Sequence, residues 1–75
     1  MIDIKTLTEN DKGKWVIYKG GAGETEIGRI KSWNDKVIFV VYDRPGRDMN
    51  LYELYPGYAT SPEDLSFMKS GMTNV

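Results

Sequence analysis

The sequence predicts an all-β domain, a small barrel of five short strands with one or two short helical turns. Three observations lead there. Runs of four to nine residues rich in β-branched and aromatic side chains alternate with Gly, Pro, Asn and Asp clusters. One of them, Val37–Tyr42, is an unbroken apolar run whose length and β-branched content suit a buried central strand. The chain has 75 residues. A chain that short buries only ~60% of its unfolded surface. Closing a sheet suits so small a core, because it leaves few open edges.

Ile2, Ile4 and Leu7 are apolar at mixed spacing and are expected to dock on the body. Thr8-Glu9-Asn10-Asp11 has the layout of a capping box, with Asp where Glu or Gln is usual. Gly13 follows it, so a single helical turn is expected over residues 8–12. Lys14–Lys19 (KWVIYK) reads as the first strand, and Gly20-Gly21-Ala22-Gly23 breaks it. Thr25–Trp33 reads as the second. Its apolar residues Ile27, Ile30 and Trp33 are three apart, which breaks strict alternation, and Gly28 stands between the first two. A glycine inside a strand marks a bulge, a bend or a close backbone approach, so a bend at Gly28 is expected.

Asn34-Asp35-Lys36 is a tight turn, since Asn and Asp bond their own backbone. Val37–Tyr42 is a continuous apolar run, read as the central strand, buried on both faces. In Asp43–Asp48, Pro45-Gly46 suits the central positions of a type II turn. Met49–Tyr55 alternates and reads as the fourth strand, with Tyr55–Tyr58 as a loop. Ser61-Pro62-Glu63-Asp64 combines an N-cap serine, a first-turn proline and two acids, which favours a helical turn. Leu65–Met68 is the last strand. The boundaries are an N-terminal extension with a helical turn over 1–13, the barrel over 14–68 and a flexible tail over 69–75. Five strands with one helical turn before the last suggest an SH3-like barrel.

Composition narrows the chemistry. The chain has neither cysteine nor histidine. That removes disulfides, thiolate zinc sites, cysteine nucleophiles, Ser-His-Asp catalysis and most transition-metal sites. The net charge is −1, with 10 Lys+Arg against 11 Asp+Glu, unlike a dedicated nucleic-acid binder. The charge is uneven: residues 1–11 carry net −2, 12–36 net +3 and 37–75 net −2. No apolar run approaches the ~20 residues of a membrane span. Met1–Lys5 lacks the basic start and apolar stretch of a signal peptide. The expectation is a soluble, cytoplasmic protein with no cofactor, no metal and no membrane partner.

Gly28-Arg29-Ile30-Lys31-Ser32-Trp33-Asn34-Asp35-Lys36, Val37–Tyr42 and Ala59-Thr60-Ser61-Pro62-Glu63-Asp64-Leu65 resemble a group of small uncharacterised phage and prophage proteins. Their pattern is roughly G-x-[IV]-x-S-x-N-D-x-x-[IV]-F-V, a variable turn, then A-x-x-P-E-D-L. The match spans about residues 8–68. The resemblance implies an SH3-like, KOW- or Tudor-like barrel in a viral, intracellular (host-cell) setting. It supplies no catalytic residues.

Four features could carry chemistry. The Gly20–Gly23 loop lacks the spacing of a dinucleotide fingerprint or a P-loop, and a strand follows it, so it reads as a hairpin loop. Glu24 and Glu26, and Glu63 and Asp64, are carboxylate pairs, but acid–base work needs a cleft that separates their pKa values. They read as solvated or capping acids. Lys14, Lys19, Arg29, Lys31 and Lys36 interleave with Trp15, Tyr18 and Trp33, a pattern that can stack bases and track phosphates. Tyr52, Tyr55 and Tyr58 crowd one segment beside Pro56 and Gly57, and tyrosine is over-represented at binding hot spots. The leading expectation is a non-catalytic phage-type module that binds a host or phage protein through Tyr52, Tyr55, Tyr58 and Trp33, with inhibition of a host factor, an anti-defence role, as its outcome. The alternatives are a KOW-like nucleic-acid binder using the basic set, and a small virion component.

Overall fold

A computed structural model describes residues 1–68; the expected tail over 69–75 lies outside the described residues. The fold is all-β, a five-stranded antiparallel sheet arranged as a small SH3-like barrel. Its strands are β1 (Trp15–Lys19), β2 (Thr25–Trp33), β3 (Ile38–Tyr42), β4 (Tyr58–Thr60) and β5 (Leu65–Phe67), ordered β4-β3-β2-β1-β5. Among the described residues, the helical content is confined to short 3₁₀ turns at Ile4–Thr6, Glu9–Asp11, Met49–Leu54 and Pro62–Asp64.

Local chemistry accounts for the turns. Around Glu9–Asp11, the Asp11 carboxylate accepts from the Thr8 backbone N–H at 2.8 Å, so the capping box forms with Asp as its reciprocal acid. Asn34 turns the β2–β3 hairpin, its side-chain oxygen accepting from the backbone of Lys36 at 2.8 Å and Val37 at 2.9 Å. The Arg47 N–H donates to the Arg44 carbonyl at 3.1 Å, and Gly46 takes φ of +87° between them, as a type II turn requires. Pro62 opens the last 3₁₀ turn.

Two expectations are corrected. Met49–Leu54 is a 3₁₀ turn rather than the fourth strand. The Asp48 carboxylate accepts from the Asn50 N–H at 3.0 Å, and the Leu51 N–H donates to the Asp48 carbonyl at 2.9 Å. That local capping outweighs the alternating pattern. The fourth strand is Tyr58–Thr60, part of which reads in sequence as loop. The irregularity in β2 also lies elsewhere: the register with β3 slips between Ile30 and Ser32, not at Gly28. Gly28 is instead a close backbone approach. A Cβ there would stand 2.6 Å from the Val41 carbonyl oxygen and 2.7 Å from Val40 Cγ1.

Register puts one set of side chains inside. Val16 pairs with Gly28, Gly28 with Tyr42, Ile30 with Val40, Val40 with Tyr58 and Tyr18 with Leu65. Side chains of paired residues share a face. Val16, Ile30, Ile38, Val40 and Leu65 are wholly buried and form the core with Ile2 and Tyr42. Ile4, Leu7, Tyr18 and Trp33 pack around it. The Ile2 N–H donates to the Pro62 carbonyl at 3.0 Å, which ties the first residues to the last turn. The one buried polar side chain among the described residues, Thr60, meets the Tyr42 hydroxyl at 2.8 Å.

Candidate functional site

The interior rows stop being apolar at one end of the barrel. One step beyond Val16 on the same face stands Tyr18, and one step beyond Gly28 stands Glu26, its direct partner across the ladder. Beyond Val40 stands Tyr42, and Val40 itself pairs with Tyr58. Tyr18, Glu26, Tyr42 and Tyr58, with Ala59, Thr60 and Arg44, line an open cavity of about 280 Å³. The Tyr18 ring meets Tyr42 edge-on at 6.0 Å between centroids, and Tyr58 tilts against Tyr42 at 6.3 Å. Arg44, from the turn after β3, pairs with the Glu26 carboxylate and holds its guanidinium 5.5 Å from the Tyr42 ring centroid. Burial pushes the Tyr42 phenol above the usual tyrosine range, against the opposing pull of the Thr60 hydrogen bond.

The second feature is the segment from Met49 to Tyr58. Met49 is buried, while Leu51, Leu54 and Tyr58 are 49%, 76% and 51% exposed. Arg29 fastens this segment to the barrel. Its Nε donates to the Gly13 carbonyl at 2.6 Å and its Nη1 to the Met49 carbonyl at 3.0 Å. Its guanidinium lies 4.4 Å from the Tyr52 ring centroid and 5.5 Å from that of Trp15. Lys31 Nζ donates to the Tyr55 carbonyl at 2.7 Å. The Tyr55 hydroxyl accepts from the Asp48 N–H at 3.1 Å, and Arg47 stacks 5.1 Å from its ring.

The sequence-predicted residues therefore separate. Tyr52 and Tyr55 are half-buried and held by cations of the same chain, whereas Tyr58 is exposed and belongs to the barrel mouth. Trp33 is half-buried, packed against the core, with Lys12 Nζ 5.9 Å from its ring centroid. Of the basic set, Arg29 and Lys31 bond backbone carbonyls. Lys14 pairs with Asp11 at 2.8 Å and stands 5.5 Å from the Phe67 ring. Lys14, the first cause, holds the Asp11 carboxyl below its ordinary range, helped by the Thr8 N–H. Lys19 and Lys36 are exposed, one at the end of β1 and one in the β2–β3 turn.

Sequence reasoning missed Tyr18, Glu26, Tyr42 and Arg44 as one cluster. A signal was present: Val16-x-Tyr18, Glu26-x-Gly28-x-Ile30 and Val40-x-Tyr42 each carry an inward-facing row one step past its apolar residues into a polar-tipped one. Leu51 and Leu54 were missed because the alternating pattern placed them in a strand.

No protein-family model matches the chain, and no solved structure gives a significant match. Among curated proteins, sensory neuron membrane protein 1 of Aedes aegypti is 32% identical over 70 residues, an alignment covering 87% of this chain. The chain spans 12% of that relative's length. Among the described residues, no helix is long and apolar enough to cross a membrane.

Proposed function

We propose that this chain is a non-catalytic interaction module that binds a protein partner through the Leu51–Tyr58 segment. One observation carries the reading: Leu51, Leu54 and Tyr58 are three large apolar or aromatic side chains exposed within eight residues. Clustered exposed apolar groups on a small domain mark contact surfaces. Tyr52 and Tyr55 stiffen that surface, because Arg29 and Arg47 lie over their rings and the Tyr55 hydroxyl accepts the Asp48 N–H before any partner arrives. The nucleic-acid reading is weaker because three of its five basic residues, Lys14, Arg29 and Lys31, are engaged inside the chain. The phage resemblance supplies the setting, an intracellular partner of viral or host origin whose activity the module blocks.

The test uses host lysate to identify a partner by mass spectrometry, then measures its affinity for purified variants. Leu54→Asp and Tyr58→Ala should each weaken binding by about 2 kcal/mol, the hot-spot threshold, while the domain stays folded. Lys19→Glu with Lys36→Glu should change it little. The opposite pattern, with affinity falling steeply as salt rises, would replace this reading with a nucleic-acid one.

A further inference from the structure

We propose that the barrel mouth formed by Tyr18, Glu26, Tyr42 and Tyr58 receives an arginine side chain from the partner, and that Arg44 occupies it until then. The inference rests on the protein-binding reading and names the chemistry of one contact. Three tyrosine rings and one carboxylate converge there, with two ring pairs at 6.0 and 6.3 Å. Ring faces attract cations and a carboxylate pairs with them, so the mouth is complementary to a positive group. The structure shows which kind. The resident cation is a guanidinium, paired with Glu26 and 5.5 Å from the Tyr42 ring centroid. A second guanidinium in the same place would find the same partners.

The resident is poorly anchored. The Arg44 and Glu26 side chains are 44% and 35% exposed, and an exposed ion pair contributes little net stability. Arg44 also sits on the rim, in the Arg44–Arg47 turn. Arg29 makes the contrast, being fixed by two backbone carbonyls and two rings. The open space beside Arg44 is about 280 Å³, so displacing that one side chain leaves room for another of its size. Tyr58, at the edge of the mouth, also ends the exposed Leu51–Tyr58 segment, so one partner reaches both.

The test needs no natural partner. The probe is a Gly-Ser-Arg-Ser-Gly peptide, with citrulline or trimethyllysine replacing arginine in two controls. Ring NMR signals of Tyr18 and Tyr58 report binding to the full chain. The arginine peptide should shift them at roughly tenfold lower concentration in Arg44→Ala than in the unaltered protein, a change worth ~1.4 kcal/mol. Adding Glu26→Gln should cancel the gain, and citrulline should bind neither protein. If Arg44→Ala is unfolded by circular dichroism, Arg44→Gln takes its place. Equal binding with and without Arg44 overturns the proposal, as does citrulline matching arginine or trimethyllysine exceeding it. A silent titration alongside a partner lost to Leu54→Asp overturns the arginine pocket and leaves the protein-binding face standing. Arginine-dependent shifts alongside a partner indifferent to Leu54→Asp keep the pocket and remove the face.

Discussion

Adding one methyl group at Gly28 tests the closest backbone approach in the sheet. In Gly28→Ala the new Cβ would stand 2.6 Å from the Val41 carbonyl oxygen, 2.7 Å from Val40 Cγ1 and 3.1 Å from Tyr42 Cα. Favourable carbon contacts lie at ~3.5–4.0 Å, so the first two are short by nearly 1 Å. A rotamer change could relieve the Val40 contact. The Val41 oxygen is backbone, so relief there means moving β3 away from β2. Those strands carry Ile30 and Val40, both wholly buried, and a packed core transmits such a shift. Overpacking of this kind costs about 1–3 kcal/mol. Losing a glycine restricts the unfolded chain and offsets about 0.4–1 kcal/mol of that. A net loss of about 1–2 kcal/mol remains, and at ~4–8 °C per kcal/mol for a domain of this size the melting temperature should fall by about 5–15 °C. Far-UV circular dichroism measures the melt, and urea titration followed by Trp15 and Trp33 fluorescence gives the free energy. Gly21→Ala is the matched control, because nothing lies within 4 Å of a Cβ there. If Gly28→Ala melts at or above the unaltered protein, or Gly21→Ala falls as far, the close-approach argument is refuted.

Three further outcomes are expected. Val40→Asp should abolish the folded circular dichroism spectrum, because it buries an unpaired charge in a wholly enclosed position of a marginally stable domain; a native melt would displace β3 from the centre. Arg29→Lys should cost about 1–2 kcal/mol in urea, since one ammonium cannot span the Gly13 and Met49 carbonyls while stacking between Trp15 and Tyr52; an unchanged midpoint would dissolve that clamp. Asp11 has its carboxyl pKa depressed in the folded state, so its contribution is present above the unfolded pKa and disappears as pH falls through the folded one. Urea midpoints measured from about pH 5 down to about pH 2 should therefore decline more steeply for the unaltered protein than for Asp11→Ala, and parallel curves would count against the Lys14 pairing.

The strands legible in the sequence were those whose residues allow one conformation. Val37–Tyr42 is too β-branched for most alternatives, and β3 occupies all of it but the first residue. Asn34 and Pro62 carry their turn chemistry in their own side chains. Met49–Tyr55 was not legible because its alternation satisfies a strand as well as a capped 3₁₀ turn, and only Asp48 decides between them. Gly28 signals the disturbance in β2 but the register slips between Ile30 and Ser32, since a close approach and a bulge leave the same trace in a sequence. The tyrosine cluster over Tyr52–Tyr58 was visible by composition. The barrel mouth is legible only in part: Val16-x-Tyr18, Glu26-x-Gly28 and Val40-x-Tyr42 each pass from an apolar residue to a polar-tipped one, but the meeting of those rows is set by cross-strand register, which no local pattern encodes.

The strand order also sets a sequence of events in time. β1 to β4 each pair with a neighbour in the chain, across connections over residues 20–24, 34–37 and 43–57, all shorter than the return to β5. β5 is different: Leu65–Phe67 must return to Val16–Tyr18 across the whole meander. Loop-closure entropy grows with length and must be spent before the contacts repay it, so this ladder forms last. Until it does, the Val16–Tyr18 edge is an open row of donors and acceptors, ready to accept a strand from another copy. Leu65→Ala should consequently accelerate unfolding while leaving the folding rate nearly unchanged in stopped-flow measurements, and a slowed folding limb would place β5 in the nucleus instead.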